Sequence, residues 1–486
     1  MMIPSLEQFR ELACQGNLVP VFEVLKADME TPVSVYRKLV AEEPGFILES
    51  VEGGEHLGRY SFIGLRPSQT MTVYGSSCRI NDGETVRQSE GNPFLQLQAA
   101  MRAFAPVEVD GLPRFYGGAV GYFGFDLVEA LERLPAAADE LGLPDCCLLF
   151  PEVVAVFDHV RHSLQLIVCA RVAADPDASY RRALELLREM KARLAGPAAA
   201  AKAGCGGASR LCSNRSREQY RQMVRQAKEY IAAGDIFQVV PSQRLSAELR
   251  VEPFAVYRSL RALNPSPYLY YLNFGAVQIV GSSPELLVRV EDGLVETRPI
   301  AGTRRRGKTP AEDAALAAGL LADEKERAEH TMLVDLARND VGRIAVYGSV
   351  AVPTLMTVEK YSHVMHIVSA VTGQLQPGKD AIDALTACFP AGTVSGAPKV
   401  RAMEIIRELE KGKRGPYGGA VGYLGFSGSM DTCITIRTFV IADGKIHVQA
   451  GGGVVADSDP DAEYEETLNK AQALLQALVI AEEACE

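Results

Sequence analysis

A ten-residue phrase occurs twice in this chain of 486 residues. Residues 116–125 read YGGAVGYFGF and residues 417–426 read YGGAVGYLGF, identical at nine of ten positions. Glycines set among alternating Val and Tyr describe strands whose backbones approach closely, because a strand glycine marks a bulge or a tight contact. The phrase therefore predicts two glycine-bearing strands, one in each half, arising by duplication or serving one shared interface. Elsewhere the halves differ, so the chain is not a repeat array.

A second feature divides the chain. Residues 196–209, GPAAAAKAGCGGAS, are small and carry no burial pattern, which predicts a linker or exposed loop. The expected organisation is a half at 1–195, a loop at 196–213 and a second half at 214–486. Before the loop, 180–194 has apolar residues at helical spacing. After it, Ser216 and Gln219 form a capping box. Tyr220, Met223, Val224, Ala227 and Ile231 then make one helix face. Gly234 ends that helix, and FQVVPSQRLSAEL reads as a strand. Further helices are expected at 311–339 and 398–410. Strands are expected at 62–64, 72–79, 164–171, 236–245, 277–290, 348–356, 433–441 and 445–451. Asp82-Gly83, Asp292-Gly293 and Asp443-Gly444 are hairpin turns. This irregular alternation predicts an α+β fold, with antiparallel sheets and helices outside, rather than βαβ order.

Composition narrows the function. The net charge of -11 disfavours a general nucleic-acid binder, which needs a basic field. No run approaches the ~18 apolar residues of a membrane span. The start, MMIPSLEQFREL, lacks a basic segment followed by an apolar core, so no signal peptide is expected. Ten Cys lie scattered without a CxxC pair, and adjacent Cys146 and Cys147 are poorly placed to bridge each other. A cytoplasmic, reduced protein without structural zinc is the simplest expectation.

The polar residues that look out of place lie in the second half. Glu326 with Glu329, and Glu463 with Glu466, are i, i+3 pairs in helical stretches, each pair on one face. They are either solvated faces or, if opposed, an oxygen cage suited to Mg²⁺. His363 and His366 in YSHVMHIVSA read better as one structural and one functional histidine than as a zinc site. The 450–454 segment AGGGV lacks the Lys and Ser/Thr of a P-loop. It is either a plain turn or a nest of N–H groups for a carboxylate. Arg437, in the apolar stretch CITIRTFVI, must meet an internal carboxylate or an anionic ligand.

Longer phrases carry a resemblance. GRYSFIG (58–64), NPSPYLYYL (264–272), GSSPELLVR (281–289), RPIAGTRRRG (298–307), EHTMLVDLARNDVGR (329–343), EKYSHVMHIVSAVTG (359–373), FPAGTVSGAPKVRAMEII (389–406), GPYGGAVGYLGF (415–426), DTCITIRT (431–438) and AGGGVVADSDPDAEYEETLNKA (450–471) follow in order. With them the chain resembles the chorismate-utilising enzymes, and most closely the large-subunit (component I) family of anthranilate synthase. The matches cover nearly all of the second half and thin out in the first.

The resemblance implies a four-layer α/β/β/α fold and an ammonia-adding lyase. Ammonia would add at C2 of chorismate with loss of the C4 hydroxyl, and pyruvate would then be eliminated to give anthranilate, the first step of tryptophan synthesis. It implies that Glu326, Glu329, Glu463 and Glu466 hold Mg²⁺. Glu285 matches the general acid for the departing hydroxyl, a poor leaving group without a proton. Gln238 stands where water-adding relatives carry a Lys base, which ammonia does not need. His366 and Thr393 match catalytic positions. Ala301, Gly302, Thr303, Tyr417, Arg437, Ala450, Gly451, Gly453 and Lys470 match substrate contacts. Ala301 also stands where C4-aminating relatives have a nucleophilic Lys, and alanine cannot form that adduct. In the first half, Leu48, Glu49 and Ser50 match a signature that contacts feedback tryptophan, closed by Asn264, Pro265, Ser266, Pro267 and Tyr268.

The implied partner is a separate glutamine amidotransferase subunit supplying ammonia, in a heterotetramer of two large and two small subunits. No nucleic-acid or membrane partner is expected. The competing expectations are an aminodeoxychorismate synthase, disfavoured by Ala301; an isochorismate or salicylate synthase, disfavoured by Gln238; and a catalytically dead amino-acid sensor, disfavoured by the intact set of acidic residues and His366.

Overall fold

In the computed structural model, which describes residues 2–50, 58–199, 209, 211–361 and 364–484, the repeated phrase forms two strands that pair with each other. Gly118–Phe123 and Ala420–Gly425 run antiparallel, with Gly121 opposite Gly422. A Cβ on Gly121 would overlap the Cys147 carbonyl of the adjoining strand, and one on Gly422 would overlap that of Asp431. The close approach read from the sequence is thus the centre of the sheet system. A second pairing also joins residues before 196 to residues after 213: Gly45–Glu49 lies antiparallel to Tyr268–Asn273. Of the expected loop itself, 200–208 and 210 lie outside the described residues.

Strand alternation sorts side chains into two cores. In Tyr268–Asn273, Tyr270 and Leu272 enter a core built by the inner faces of strands from both halves. Leu269 and Tyr271, pointing the other way, enter a core under the helices Pro32–Leu39, Pro176–Ala195, Pro253–Leu263 and Pro460–Glu483. Helices Glu324–Gly342 and Ala381–Cys388 pack Val334, Val341, Ile382 and Leu385 on the first core's far side. The arrangement is the expected α/β/β/α layering. Helix Arg217–Ala233 carries both halves of its capping box and ends at Gly234, whose φ of 83° is left-handed. All three Asp-Gly pairs turn hairpins.

Several segments read as continuous are interrupted. The 72–79 strand turns at Gly75, φ 59°. The 236–245 strand divides at Val240-Pro241 into Gln238–Val239 and Ser242–Glu248, since Pro cannot donate to a ladder. The 277–290 strand divides at Pro284-Glu285 into Val277–Ser283 and Leu286–Glu291. The 433–441 strand divides around Arg437, φ 51°, into Met430–Ile434 and Thr438–Ala442. Arg437 is therefore at a turn, not inside a strand. The 311–339 helix is two helices, Pro310–Ala322 and Glu324–Gly342, the second capped by the Asp323 side chain accepting from the Lys325 and Glu326 amides. Among the described residues no helix is long and apolar enough to cross a membrane, and the described cysteines are free.

Candidate active site

The strand interruptions at 240, 284 and 437 face one cavity of about 350 Å³. Backbone that leaves a ladder releases its side chains from the two-face alternation, and these turn toward a common space. Glu285, Thr393, His366, Ala301, Thr303, Tyr417, Arg437, Ala450, Gly451 and Lys470 line it, bringing together ten of the expected catalytic and substrate residues. Gly302, Gly453 and Gln238 are not among the residues that line it. Gln238 packs on Gly453 so closely that a Cβ there would lie 2.6 Å from its Nε2. His363 lies outside the described residues.

Glu285 is 7% exposed, and burial pushes its carboxyl up to about 8. The Thr393 hydroxyl, the Ile300 amide and Lys470 only partly oppose this. It is an acid that keeps its proton at neutral pH. Thr393 Oγ1 is buried and has no hydrogen-bond partner of normal geometry among the described residues, so its contact with Glu285 is loose.

His366 stands on the strand Val364–Gln374, opposite the bulge between Ala301 and Thr303. Its Nδ1 lies 2.9 Å from the Gly302 carbonyl and 3.1 Å from Thr303 Oγ1. A carbonyl only accepts, so Nδ1 carries the proton and Nε2 is the basic nitrogen. Burial, with Arg437 nearby, lowers its pKa and favours the neutral ring. Gly302, φ 67°, gives the bulge that aims this carbonyl.

Arg437 makes no ion pair or hydrogen bond through its guanidinium among the described residues, and burial lowers its pKa. Lys470 Nζ donates to the Gly451 carbonyl at 2.9 Å and pairs with Glu466 at 2.7 Å. The cavity is therefore cationic on one side and carries a protonated acid on another, inside an acidic protein.

The four glutamates come from two helices. Glu326 pairs with Arg304 at 3.1 Å, and Glu463 Oε1 accepts from Ser458 at 2.7 Å. Glu463 Oε2 is buried without a partner among the described residues. Burial raises the pKa of Glu329, and the charges on Glu326 and Glu466 add to it; burial and Glu466 do the same for Glu463. Among the described residues, no three acidic, His or Cys side chains already converge as a metal cluster. An orphaned carboxylate oxygen on Glu463, with Glu329 and Glu463 both raised by burial and neighbouring carboxylates, is nonetheless the donor set that fits a hard divalent cation.

The residues expected to hold tryptophan divide between two cavities. Leu48, Glu49, Ser50 and Tyr268 line a slot of about 50 Å³, whereas Asn264, Pro265 and Ser266 line the larger cavity. Pro267 lines both. The Glu49 carboxylate is already held by Arg261 at 2.7 Å and by the Tyr257 hydroxyl.

Arg414 escaped the sequence reading. Its buried guanidinium pairs with Glu410 and donates to the Val240 and Val394 carbonyls at 2.6 and 2.7 Å, tying two cavity walls together. A charged residue immediately before the glycine-rich phrase, RGPYGG, was the available signal.

Comparisons with known proteins agree with this geometry. The sequence profile of the chorismate binding enzymes matches residues 43–476. The chain is 49% identical to "Anthranilate synthase component 1" of Acetivibrio thermocellus, over 98% of this chain and 99% of that protein. It is 50% identical to the Pseudomonas aeruginosa protein of the same name, over 99% of each. The crystal structure of anthranilate synthase component I from Streptococcus pneumoniae superposes with a TM-score of 0.78 at 40% identity, covering 86% of this chain and 92% of that one. The menaquinone-specific isochorismate synthase of Escherichia coli, 20% identical with a TM-score of 0.72 over 97% of this chain and 98% of its own, shares the fold. The chain belongs to the chorismate binding enzymes, among the anthranilate synthase component 1 proteins.

Proposed function

We propose that the chain is a lyase that adds ammonia to C2 of chorismate, expels the C4 hydroxyl as water and eliminates pyruvate, leaving anthranilate for tryptophan synthesis. The observation that carries this reading is Glu285, a buried carboxyl that keeps its proton to about 8 in a cavity of substrate size. Hydroxide leaves poorly; as the C4 oxygen departs, Glu285 hands it a proton and water leaves instead. Arg437 and Lys470 meet the carboxylates of the dianion. His366, neutral and basic at Nε2, is the cavity group able to accept a proton as the ring becomes aromatic. Ala301 offers no nucleophile, so the nitrogen comes from ammonia directly.

Glu326, Glu329, Glu463 and Glu466 are the residues that would hold Mg²⁺. When bound, the ion supplies charge for a substrate carboxylate beside Lys470. The relatives are named component 1, which places this chain beside a second component. We assign that component as a glutamine amidotransferase, in a cytoplasmic assembly of two large and two small subunits.

Purified chain, chorismate, Mg²⁺ and an ammonium salt should give the fluorescence of anthranilate. Glutamine in place of ammonium should give none until the partner is added. A 4-aminated product, isochorismate, or no turnover would overturn the reading.

The slot bordered by Leu48, Glu49 and Ser50 supports feedback by tryptophan. Pro267 lines both this slot and the main cavity, which supports a coupling between the two. The chain contains no Trp, so indole emission reports the added ligand alone. Tryptophan emission should shift to the blue on binding, and chorismate should weaken tryptophan by the factor by which tryptophan weakens chorismate. Unchanged emission at saturating protein would refute the site.

A further inference from the structure

His366 stands on the middle one of three antiparallel strands. On one side Thr303 lies directly opposite it, next to the Gly302 carbonyl that takes its Nδ1–H. On the other side Glu359, on the strand Ala351–Lys360, lies directly opposite it. Residues paired in this way share a face, with their Cβ atoms about 5 Å apart. Tyr361, two residues beyond Glu359, shares that face. Its ring meets the His366 ring edge-on, with centroids 5.6 Å apart. Tyr361, Val364 and His366 line the main cavity, whereas Glu359 does not.

Glu359 is not free to swing. Arg298 donates to its Oε1, and the Tyr361 hydroxyl donates to its Oε2 at 3.1 Å. With both oxygens taken, the carboxylate is held beside the imidazole but outside the space for substrate. Its neighbour Lys360 points to the opposite face and pairs with Asp313 at 2.9 Å. Among the described residues two charged groups act on His366: Arg437, which opposes a positive ring, and Glu359, which favours one. Glu285 and Lys470 line the same cavity without acting on it in this way.

We infer that Glu359 is a positioning residue for the aromatising step: held by Arg298 and Tyr361, it stabilises the imidazolium that His366 becomes on taking the ring proton. The inference rests on the proton-accepting role given to His366 above and adds the charge that answers it. In that step the electron pair of a ring C–H bond completes the aromatic system and the enolpyruvyl C–O bond breaks. The proton rests on His366 Nε2 and then passes to the departing pyruvate. A positive ring near Arg437 is costly, and the Glu359 carboxylate offsets part of that cost without touching substrate. The Tyr361 edge holds the ring plane while the charge appears.

The test follows the titration of His366 in the whole chain by NMR, its signal among the 7 histidines identified by loss in His366→Gln. Glu359→Gln keeps the size of the side chain and removes the charge. The His366 midpoint should fall by about half a unit, the scale of one cross-strand charge pair. Single-turnover formation of anthranilate from chorismate and ammonium should slow about threefold on the same scale, with the KM for chorismate changed less than about twofold. Glu359→Asp should restore much of both. Arg298→Met removes the cation that offsets Glu359, so the midpoint should rise instead; it serves if the glutamine variant does not fold. A purely structural clamp would not move the midpoint in opposite directions in the two variants. An unmoved midpoint in either folded variant, or a lowered midpoint in Glu359→Gln with an unchanged single-turnover rate, overturns the inference. If His366→Gln makes anthranilate as fast as the wild type, the proton-accepting reading falls and the inference with it. If His366→Gln is inactive while Glu359→Gln matches the wild type in midpoint and rate, only the inference falls.

Discussion

Glu285→Gln is expected to lower kcat about 10³-fold, within the range for loss of a positioned general acid. Glutamine keeps the size and much of the polarity of the side chain but has no proton to give to the departing C4 oxygen. The KM for chorismate should change little, because the lost interaction matters as the bond breaks. The pH dependence follows from the raised carboxyl. Glu285 is protonated below about 8, so the rate at fixed free ammonia should hold at neutral pH and fall as pH rises through about 8. Total-ammonium assays hide this fall, since free ammonia grows over the same range.

The same substitution should stabilise the protein. The unfolded chain ionises this carboxyl near the ordinary 4.5 and the folded chain only near about 8. Below the lower value both states are protonated and the group is neutral in the balance. Between the two the unfolded state sheds a proton that the folded state keeps, and stability falls with rising pH at up to ~1.4 kcal/mol per unit. Above about 8 the full loss, on the order of a few kcal/mol, is in place. Glutamine has no such window. Its urea midpoint should exceed that of the wild type at pH 8 and above and approach it near pH 4.5. Identical pH profiles for both proteins, in rate or in midpoint, would refute the assignment of Glu285 as a buried, protonated acid.

The sequence made regular structure legible and irregular structure not. Ser216, Gln219 and Gly234 mark their helix because caps are local chemistry, decided within a few residues. The Asp-Gly hairpins are legible for the same reason. The strands 118–123 and 420–425 were legible because the phrase repeats and their glycines meet backbone closely, whereas their pairing with each other was one of two alternatives. The interruptions at Pro284-Glu285 and at Arg437 were not. Pro284 did carry a local signal, since proline cannot donate to a ladder, but the strand was read through it. Arg437 lies in an apolar run of strand-forming residues, and nothing local requires it to adopt a φ of 51°. Partner strands and the cavity impose that conformation, so it appears only in three dimensions. The site was therefore found through the family phrases rather than through strand prediction, because its side chains stand where the ladders fail. Arg414 shows the converse: its partners are the backbone carbonyls of Val240 and Val394, distant in sequence and silent in any spacing rule.

Arg437→Met should raise the KM for chorismate about 100-fold, the scale of removing one partner from a desolvated ion pair. Arg437→Lys, which keeps the charge but not the two-pronged donor, should raise it about tenfold. The reasoning turns on what the guanidinium lacks. Among the described residues it has no carboxylate or hydrogen-bond acceptor, and burial lowers its pKa with nothing opposing. A half-buried charge facing the cavity without a counterion destabilises the free protein and becomes favourable when an anion enters. Two effects of opposite sign follow from the one substitution. Methionine fills similar volume without charge, so the free Met variant should unfold at higher urea than the wild type while binding substrate far more weakly. Chorismate added before unfolding should raise the wild-type midpoint and leave that of the Met variant nearly unmoved at the same concentration. A Met variant with lower intrinsic stability and a chorismate KM within about twofold of wild type would mean that Arg437 has an internal partner and a structural role, and the anion-binding wall would have to be sought at Lys470.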